Sequence, residues 1–210
     1  MSVVGIVPAG GSGERLGADR PKAFVVCAGR PLLDWSVEVL RHVCDRVVVA
    51  VPPGDEEGPD RVVGGESRSA SVRNALAAAP EATVAVVHDA ARPLVTRDLV
   101  ERCLAALVPG VDGAIAAARM TDTVKEAGTD GRVLRTLDRS VLWAIQTPQV
   151  FRAEVLRRAL ARDEMALAAA TDDASLVEQM GGTVRVVEAP PENIKVTRET
   201  DLRMVEALLC

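Results

Sequence analysis

Val3-Val4-Gly5-Ile6-Val7-Pro8-Ala9-Gly10-Gly11-Ser12-Gly13-Glu14-Arg15-Leu16-Gly17 opens the chain as an apolar run that passes directly into a glycine-rich loop. A run that is apolar and β-branched at almost every position fits a strand buried on both faces, the condition of a parallel sheet. Glycines just past its end permit positive φ and let backbone N–H groups approach a phosphate closely. In open α/β sheets, ligands bind beyond the carboxyl ends of the strands. The pattern recurs downstream: strands are predicted at Arg46–Val51, Thr83–His88, Gly113–Ala117 and Thr183–Glu188. Helices are predicted between and after them, at about Pro31–Val43, Ser69–Ala79, Arg97–Leu107, Ala153–Ala169 and Asp201–Leu209. Ser175 followed by Glu178 fits a capping box opening one more short helix. This alternation predicts a Rossmann-like, doubly wound α/β domain with a mostly parallel sheet.

One region breaks the alternation. From Arg119 to Val150, two strand-like stretches flank a turn at Gly128-Thr129-Asp130-Gly131, which reads as a hairpin inserted into the domain and projecting as an arm. No linker, repeat or low-complexity segment divides the chain, so residues 1–210 are expected to form one domain carrying this arm at about 119–150.

Bulk properties narrow the function. Aromatic residues make up only 2%, which argues against stacking platforms for single-stranded nucleic acid. A net charge of −5 leaves no global basic field to attract a polyanion, so phosphate chemistry here must rest on a few local cations and a metal. Cysteines at 27, 44, 103 and 210 have no C-x-x-C spacing and only two histidines accompany them, which argues against zinc and a disulfide framework. The N-terminus reads as a strand rather than a targeting segment, and the apolar runs are too short to span a bilayer. The expectation is a reduced, cytoplasmic protein that binds neither nucleic acid nor membrane.

The glycine loop admits three readings. A dinucleotide fingerprint fails because Leu16 stands where the third glycine belongs. A Walker A loop fails because Lys22 follows Pro21 and precedes Ala23. The remaining functional reading is a long loop around a nucleoside triphosphate, with Arg15 and Lys22 as its cations; the alternative is a tight turn with solvated charges. A second signal stands where the Thr83–His88 strand ends at Asp89-Ala90-Ala91-Arg92-Pro93. A carboxylate there is placed to hold Mg²⁺ or a hydroxyl, with Arg92 beside it for an anion. His88 reads as a hydrogen-bonded structural histidine rather than a base.

Together, Pro8-Ala9-Gly10-Gly11-Ser12-Gly13-Glu14-Arg15 with Pro21-Lys22, and Val87-His88-Asp89-Ala90-Ala91-Arg92-Pro93, resemble the signature segments of the 2-C-methyl-D-erythritol 4-phosphate cytidylyltransferases of the non-mevalonate isoprenoid pathway. Gly64–Ser71, Asp122-Thr123, Asp138-Arg139, Thr147-Pro148-Gln149, Thr171–Ser175 and Asn193–Arg198 agree in the same order. The resemblance implies a nucleotidyltransferase fold that joins CTP to a small sugar-alcohol phosphate with Mg²⁺ and releases pyrophosphate. It implies catalytic roles for Arg15, Lys22, Arg139 and Lys195. It places the nucleotide along Pro8, Ala9, Gly10, Gly11, Gly13, Gly65, Glu66, Ser71, Asp89 and Ala90. The second substrate falls to Asp89, Arg92, Thr123, Arg139, Thr171 and Lys195, and any protein contact to the metal to Asp89. It makes the hairpin a dimer arm that carries Thr123 and Arg139 into the partner's site of a homodimer.

Two positions depart from the family pattern: Gly10, where alanine is frequent, and Glu66, where aspartate is common. The reaction itself needs no general base. A phosphate monoester has a second pKa near ~6 and is already largely dianionic at neutral pH. The alternatives are a ribitol 5-phosphate cytidylyltransferase, a non-catalytic nucleotide-binding regulator and an NAD-binding oxidoreductase. The last is opposed by the imperfect glycine loop and by Val51-Pro52, where an acidic residue would be needed.

Overall fold

The computed structural model describes residues 1–10 and 21–209. Its centre is a seven-stranded sheet. The strands are β1 (Val3–Pro8), β4 (Arg46–Val51), β5 (Arg61–Val63), β6 (Val84–Val87), β7 (Gly113–Arg119), β10 (Trp143–Arg152) and β11 (Val184–Glu188). They lie in the order β11-β7-β10-β6-β1-β4-β5. All pairings are parallel except those of β10, which runs antiparallel between β6 and β7. The sheet is thus mixed and mostly parallel, in line with the α/β expectation.

The apolar runs explain its middle. Along β1, alternate side chains serve opposite faces. Val4 and Ile6 join Val48, Ala50, Ala85 and Val87 under α2 (Arg68–Ala77) and α4 (Ala153–Leu160). Val3 and Val7 join Val47, Val49, Val84 and Val86 under α1 (Leu32–Arg41) and α3 (Arg97–Ala105). Both cores are almost wholly aliphatic; Phe151 is the large aromatic in the first. It lies so close over β7 that a Cβ on Gly113 would stand 2.7 Å from its ring.

Several elements differ from the sequence-based expectation, the unpredicted edge strand β5 among them. β10, ten residues long, takes up the last eight residues of the stretch predicted as hairpin alone, and it is what turns a parallel sheet into a mixed one. Pro148 lies in its middle, where the register with β7 shifts between Ile145 and Gln149; a proline there removes a ladder donor and argues against a strand. The predicted helix Ala153–Ala169 is two helices, α4 and α5 (Glu164–Ala169), because Asp163 accepts the Ala166 N–H at 2.8 Å and starts a new N-terminus. The helix predicted to open at Ser175 is α6 (Asp173–Glu178), capped by Asp172, whose carboxylate accepts the Ser175 N–H at 2.9 Å; Glu178 ends it.

The hairpin itself is present. Strands β8 (Lys125–Ala127) and β9 (Val133–Thr136) pair antiparallel as a separate two-stranded ribbon, with every residue of β9 exposed. A second short ribbon, β2 (Val26–Cys27) with β3 (Arg30–Pro31), packs against α7 (Glu199–Leu209).

Candidate active site

The carboxyl ends of β1, β5 and β6 open onto a cavity of about 420 Å³. Its walls contain ten of the residues singled out from sequence. Pro8, Ala9 and Gly10 come from the end of β1, and Lys22 from the short 3-10 turn Lys22–Phe24. Gly65, Glu66 and Ser71 come from the β5–α2 turn, and Asp89, Ala90 and Lys195 close the far side. Gly11, Gly13 and Arg15 lie outside the described residues.

The β5–α2 turn shows why those residue types are needed. Ser67 caps α2, its hydroxyl accepting the Ala70 N–H at 3.1 Å. One turn on, the Ser71 hydroxyl accepts the Gly65 N–H at 3.1 Å and donates to the Ser67 carbonyl at 2.9 Å. The loop therefore folds directly over the helix start, where a Cβ on Gly65 would sit 2.4 Å from that of Ala70. Only glycine permits that approach.

A second cavity of about 510 Å³ adjoins the first, reaching from Asp89 to Arg92, Thr171 and the strand β11. Three residues line both cavities: Arg68, Asp89 and Lys195. They form an ion-pair cluster. Asp89 accepts from Arg68 Nε at 3.0 Å through Oδ1 and from Lys195 Nζ at 2.6 Å through Oδ2. Arg68 Nη1 also donates to Asp173 Oδ2 at 2.5 Å. Burial pushes the Asp89 carboxyl up, but Arg68, Lys195 and Arg92 together hold it well below the usual carboxylate range. Burial likewise opposes the charge on Arg68, and Asp173 and Asp89 more than offset it. Arg92 is pulled down chiefly by its own burial, against the pull of Asp89. Its Nη1 donates to the Asn193 carbonyl at 2.7 Å, and its buried Nε has no partner among the described residues.

His88 is structural, as its sequence context implied. The Asp89 N–H donates to Thr147 Oγ1 at 3.0 Å; because the Arg92 carbonyl at Nε2 can only accept, Nδ1 of the neutral ring is bare and accepts from the Thr147 hydroxyl at 3.1 Å. Nε2 then carries the ring proton and donates to the Arg92 carbonyl at 3.2 Å. Burial lowers its pKa to about 4, so the ring is neutral and both nitrogens are committed. It braces the turn that presents Asp89 and Arg92.

Thr123 and Arg139 are the two proposed site residues in the described chain that line neither cavity. Arg139 begins the 3-10 turn Arg139–Val141 after the β8–β9 ribbon and donates to the Thr121 carbonyl; both residues are exposed. Arg68 and Asp173 were not singled out from sequence. A signal existed for Arg68: it is the first residue of α2, where the helix dipole disfavours a cation. Asp173 carries no such signal, since an acid in the first turn of α6 is ordinary.

Asp89 is the carboxylate common to both cavities, and among the described residues no group of three His, Cys, Asp or Glu side chains could hold a metal. That donor set fits Mg²⁺ bound mainly through substrate phosphates with one protein carboxylate, and not a metal caged by the protein.

A sequence profile of the 2-C-methyl-D-erythritol 4-phosphate cytidylyltransferases (IspD) matches residues 3–210. The chain is 44% identical over 218 residues to the protein of that name from Frankia casuarinae, covering 99% of this chain and 81% of the relative. It is 44% identical over 222 residues to the one from Rubrobacter xylanophilus, covering 98% and 94%. The fold superposes on the crystal structure of the Thermus thermophilus enzyme with a TM-score of 0.83 at 35% identity, covering 99% of this chain and 98% of the other.

Proposed function

The chain belongs to the 2-C-methyl-D-erythritol 4-phosphate cytidylyltransferase family, and from that premise we propose how its residues carry the reaction. CTP and 2-C-methyl-D-erythritol 4-phosphate are joined to 4-diphosphocytidyl-2-C-methyl-D-erythritol, with release of pyrophosphate, in isoprenoid precursor synthesis. The observation that carries the assignment of roles is the pair of adjoining cavities that meet at Arg68, Asp89 and Lys195.

In this reading the first cavity takes CTP. The backbone of Pro8, Ala9 and Gly10 lies along the nucleotide with Ala90 opposite, and Gly65, Glu66 and Ser71 read the base. The second cavity takes the acceptor, with Arg92, Thr171 and Lys195 around its phosphate. An acceptor phosphate oxygen attacks the α-phosphorus of CTP, the new P–O bond forms, and the bond to the pyrophosphate oxygen breaks. The nucleophile is already an anion, so the protein's task is to position two anions and offset charge at phosphorus. Lys22 supports the triphosphate; Arg15, outside the described residues, is assigned the same task. Mg²⁺, when bound, neutralises phosphate charge and orients the triphosphate; Asp89 is the residue that would contact it.

Arg139 and Thr123 are assigned to the site of a second copy, reached by the arm of a homodimer. What supports this is that neither lines a cavity of its own chain, and that Val133, Leu134 and Val141 on the arm are exposed, at 55%, 60% and 70%. Apolar residues grouped in this way mark association surfaces. Residues 1–210 then act as one nucleotidyltransferase domain with the arm at about 119–150. No helix among the described residues is long and apolar enough to cross a membrane. Cys44 and Cys103 are buried free thiols, which supports a reducing, cytoplasmic setting for the enzyme.

The test is pyrophosphate release from CTP and Mg²⁺ with 2-C-methyl-D-erythritol 4-phosphate, with ribitol 5-phosphate in parallel. Release with the methylerythritol substrate alone is expected. Release with ribitol phosphate alone would overturn the acceptor assignment, and release with neither would overturn the roles given to both cavities.

A further inference from the structure

The ion-pair cluster at the junction of the two cavities contains more than the reaction's own groups require. Arg68 is the first residue of α2, at the end of a helix that repels cations. Asp173 is fully buried, and its Oδ1 has no partner among the described residues. Each is unfavourable on local grounds. A buried ion pair of this kind is on the whole no more stabilising than apolar residues of the same volume, so stability alone does not account for it. Its geometry supplies another account. Arg68 Nη1 is held by Asp173 at 2.5 Å, which fixes the plane of the guanidinium. Nε, rigidly attached, then holds Asp89 Oδ1 at 3.0 Å and leaves Oδ2 to Lys195 at 2.6 Å. The order of contacts runs from α6 through α2 to the end of β6 and then to Lys195, across the wall between the cavities.

We propose that Arg68 and Asp173 form a clamp that positions the acceptor substrate indirectly, by fixing the carboxylate of Asp89 and through it the ammonium of Lys195. Two of the three Arg68 nitrogens are engaged by carboxylates, so Arg68 acts through its neighbours and is a positioning residue. A planar fork can hold two carboxylates at fixed angles and an ammonium cannot, so lysine is a poor replacement. The inference rests on the assignment of the second cavity to the acceptor.

The experiment compares the wild-type enzyme with Asp173→Asn, Arg68→Lys, Arg68→Gln and the Arg68→Gln/Asp173→Asn double variant, in steady-state assays varying each substrate in turn. Asp173→Asn keeps the side-chain volume and removes only the charge, so it remains informative if the Arg68 variants fold poorly; thermal melting records folding for each. The expected result is a KM for the acceptor raised roughly 10- to 100-fold, the fold-change carried by one charge-assisted hydrogen bond, with the KM for CTP within about threefold. Arg68→Lys is expected to recover part of the loss seen in Arg68→Gln. The double variant should lose no more than the worse single variant, as for two residues acting through one contact. Acceptor KM unchanged in the folded variants, both KM values rising together, or additive losses would each overturn the clamp. An active wild type with such variants would leave the assignment of the cavities standing, whereas a wild type that transfers nothing to the acceptor would overturn that assignment and the clamp together.

Discussion

Gly65→Ala isolates the contact between the β5–α2 turn and the start of α2. The added Cβ would stand 2.4 Å from Ala70 Cβ and 2.8 Å from the Ala70 carbonyl carbon. Carbon atoms in van der Waals contact rest about 3.5 Å apart, so relief of the shorter contact requires a displacement of about 1 Å. Ala70 is fully buried on a helix packed against the sheet, so the loop moves and not the helix. The loop is held by the Gly65 N–H to Ser71 at 3.1 Å and the Gly64 N–H to the Val51 carbonyl at 2.8 Å. Loosening either costs about 1 kcal/mol, on top of roughly 1–3 kcal/mol for overpacking. Gly65 lines the cavity assigned to CTP and not the one lined by Arg92 and Thr171. The expected result is a CTP KM raised on the order of 10- to 100-fold, in keeping with the cost of a 1 Å misplacement. The acceptor KM at saturating CTP should stay within about threefold. Initial rates of pyrophosphate release with each substrate varied in turn measure both. A folded variant with the wild-type CTP KM would refute the reasoning, and so would one in which the acceptor KM rises equally.

Lys22→Ala is expected to lose on the order of 10²- to 10³-fold in kcat with an unchanged melting temperature, as for removal of one donor to a transition-state charge; full activity would remove Lys22 from the mechanism. Arg139→Ala should chiefly raise the acceptor KM. If the arm serves the partner's site, mixing and exchanging Arg139→Ala with Lys22→Ala should restore about one quarter of wild-type sites, because half the dimers are mixed and each has one intact site; no recovery on exchange would refute a shared site. His88 has its folded pKa lowered by burial to about 4, below its ordinary 6.5. The unfolded chain therefore binds the extra proton between those values, and the stability from the neutral ring is full above pH 6.5 and lost as pH falls toward 4. Urea unfolding of the wild type and His88→Gln over that range should show a steeper loss in the wild type, and parallel curves would contradict it.

The sheet was legible wherever burial on both faces left nothing but aliphatic residues. β1 and β4 fall where the Val-rich runs place them, and β6 lies within the predicted run. β10 was hidden because its residues have mixed surroundings: exposed Ala144 and Ile145 near one end, Val150 and Phe151 in the core at the other, and Pro148 where the register shifts. No single hydrophobic period describes such a strand. The split between α4 and α5 had a visible cause in Asp163, a capping residue inside an otherwise helical run, but the Ala-rich segment after it outweighed one side chain.

The site was more legible on loops than on helices, where Ser71 was singled out but Arg68 and Asp173 were not. Residues at strand ends announce themselves through glycines and out-of-place charges, which is how Gly10 and Asp89 were found, whereas Gly65 came from the family resemblance alone. Arg68 and Asp173 lie in ordinary helical first turns, and only the sign of the charge on Arg68 was anomalous there. What the sequence withholds is pairing. Asp89 and Lys195 were both evident as site residues, yet nothing in their spacing shows that Lys195 is already matched to Asp89 at 2.6 Å. That pairing has a chemical consequence. Two substrates, each carrying phosphate charge, must be brought together in a chain whose own net charge is −5. Unmatched cations at the junction of the cavities would repel one another until substrate arrived. Held on Asp89, Lys195 and Arg68 keep their orientation beforehand, and an incoming phosphate has only to displace one lysine contact, while Arg68 remains anchored to Asp173.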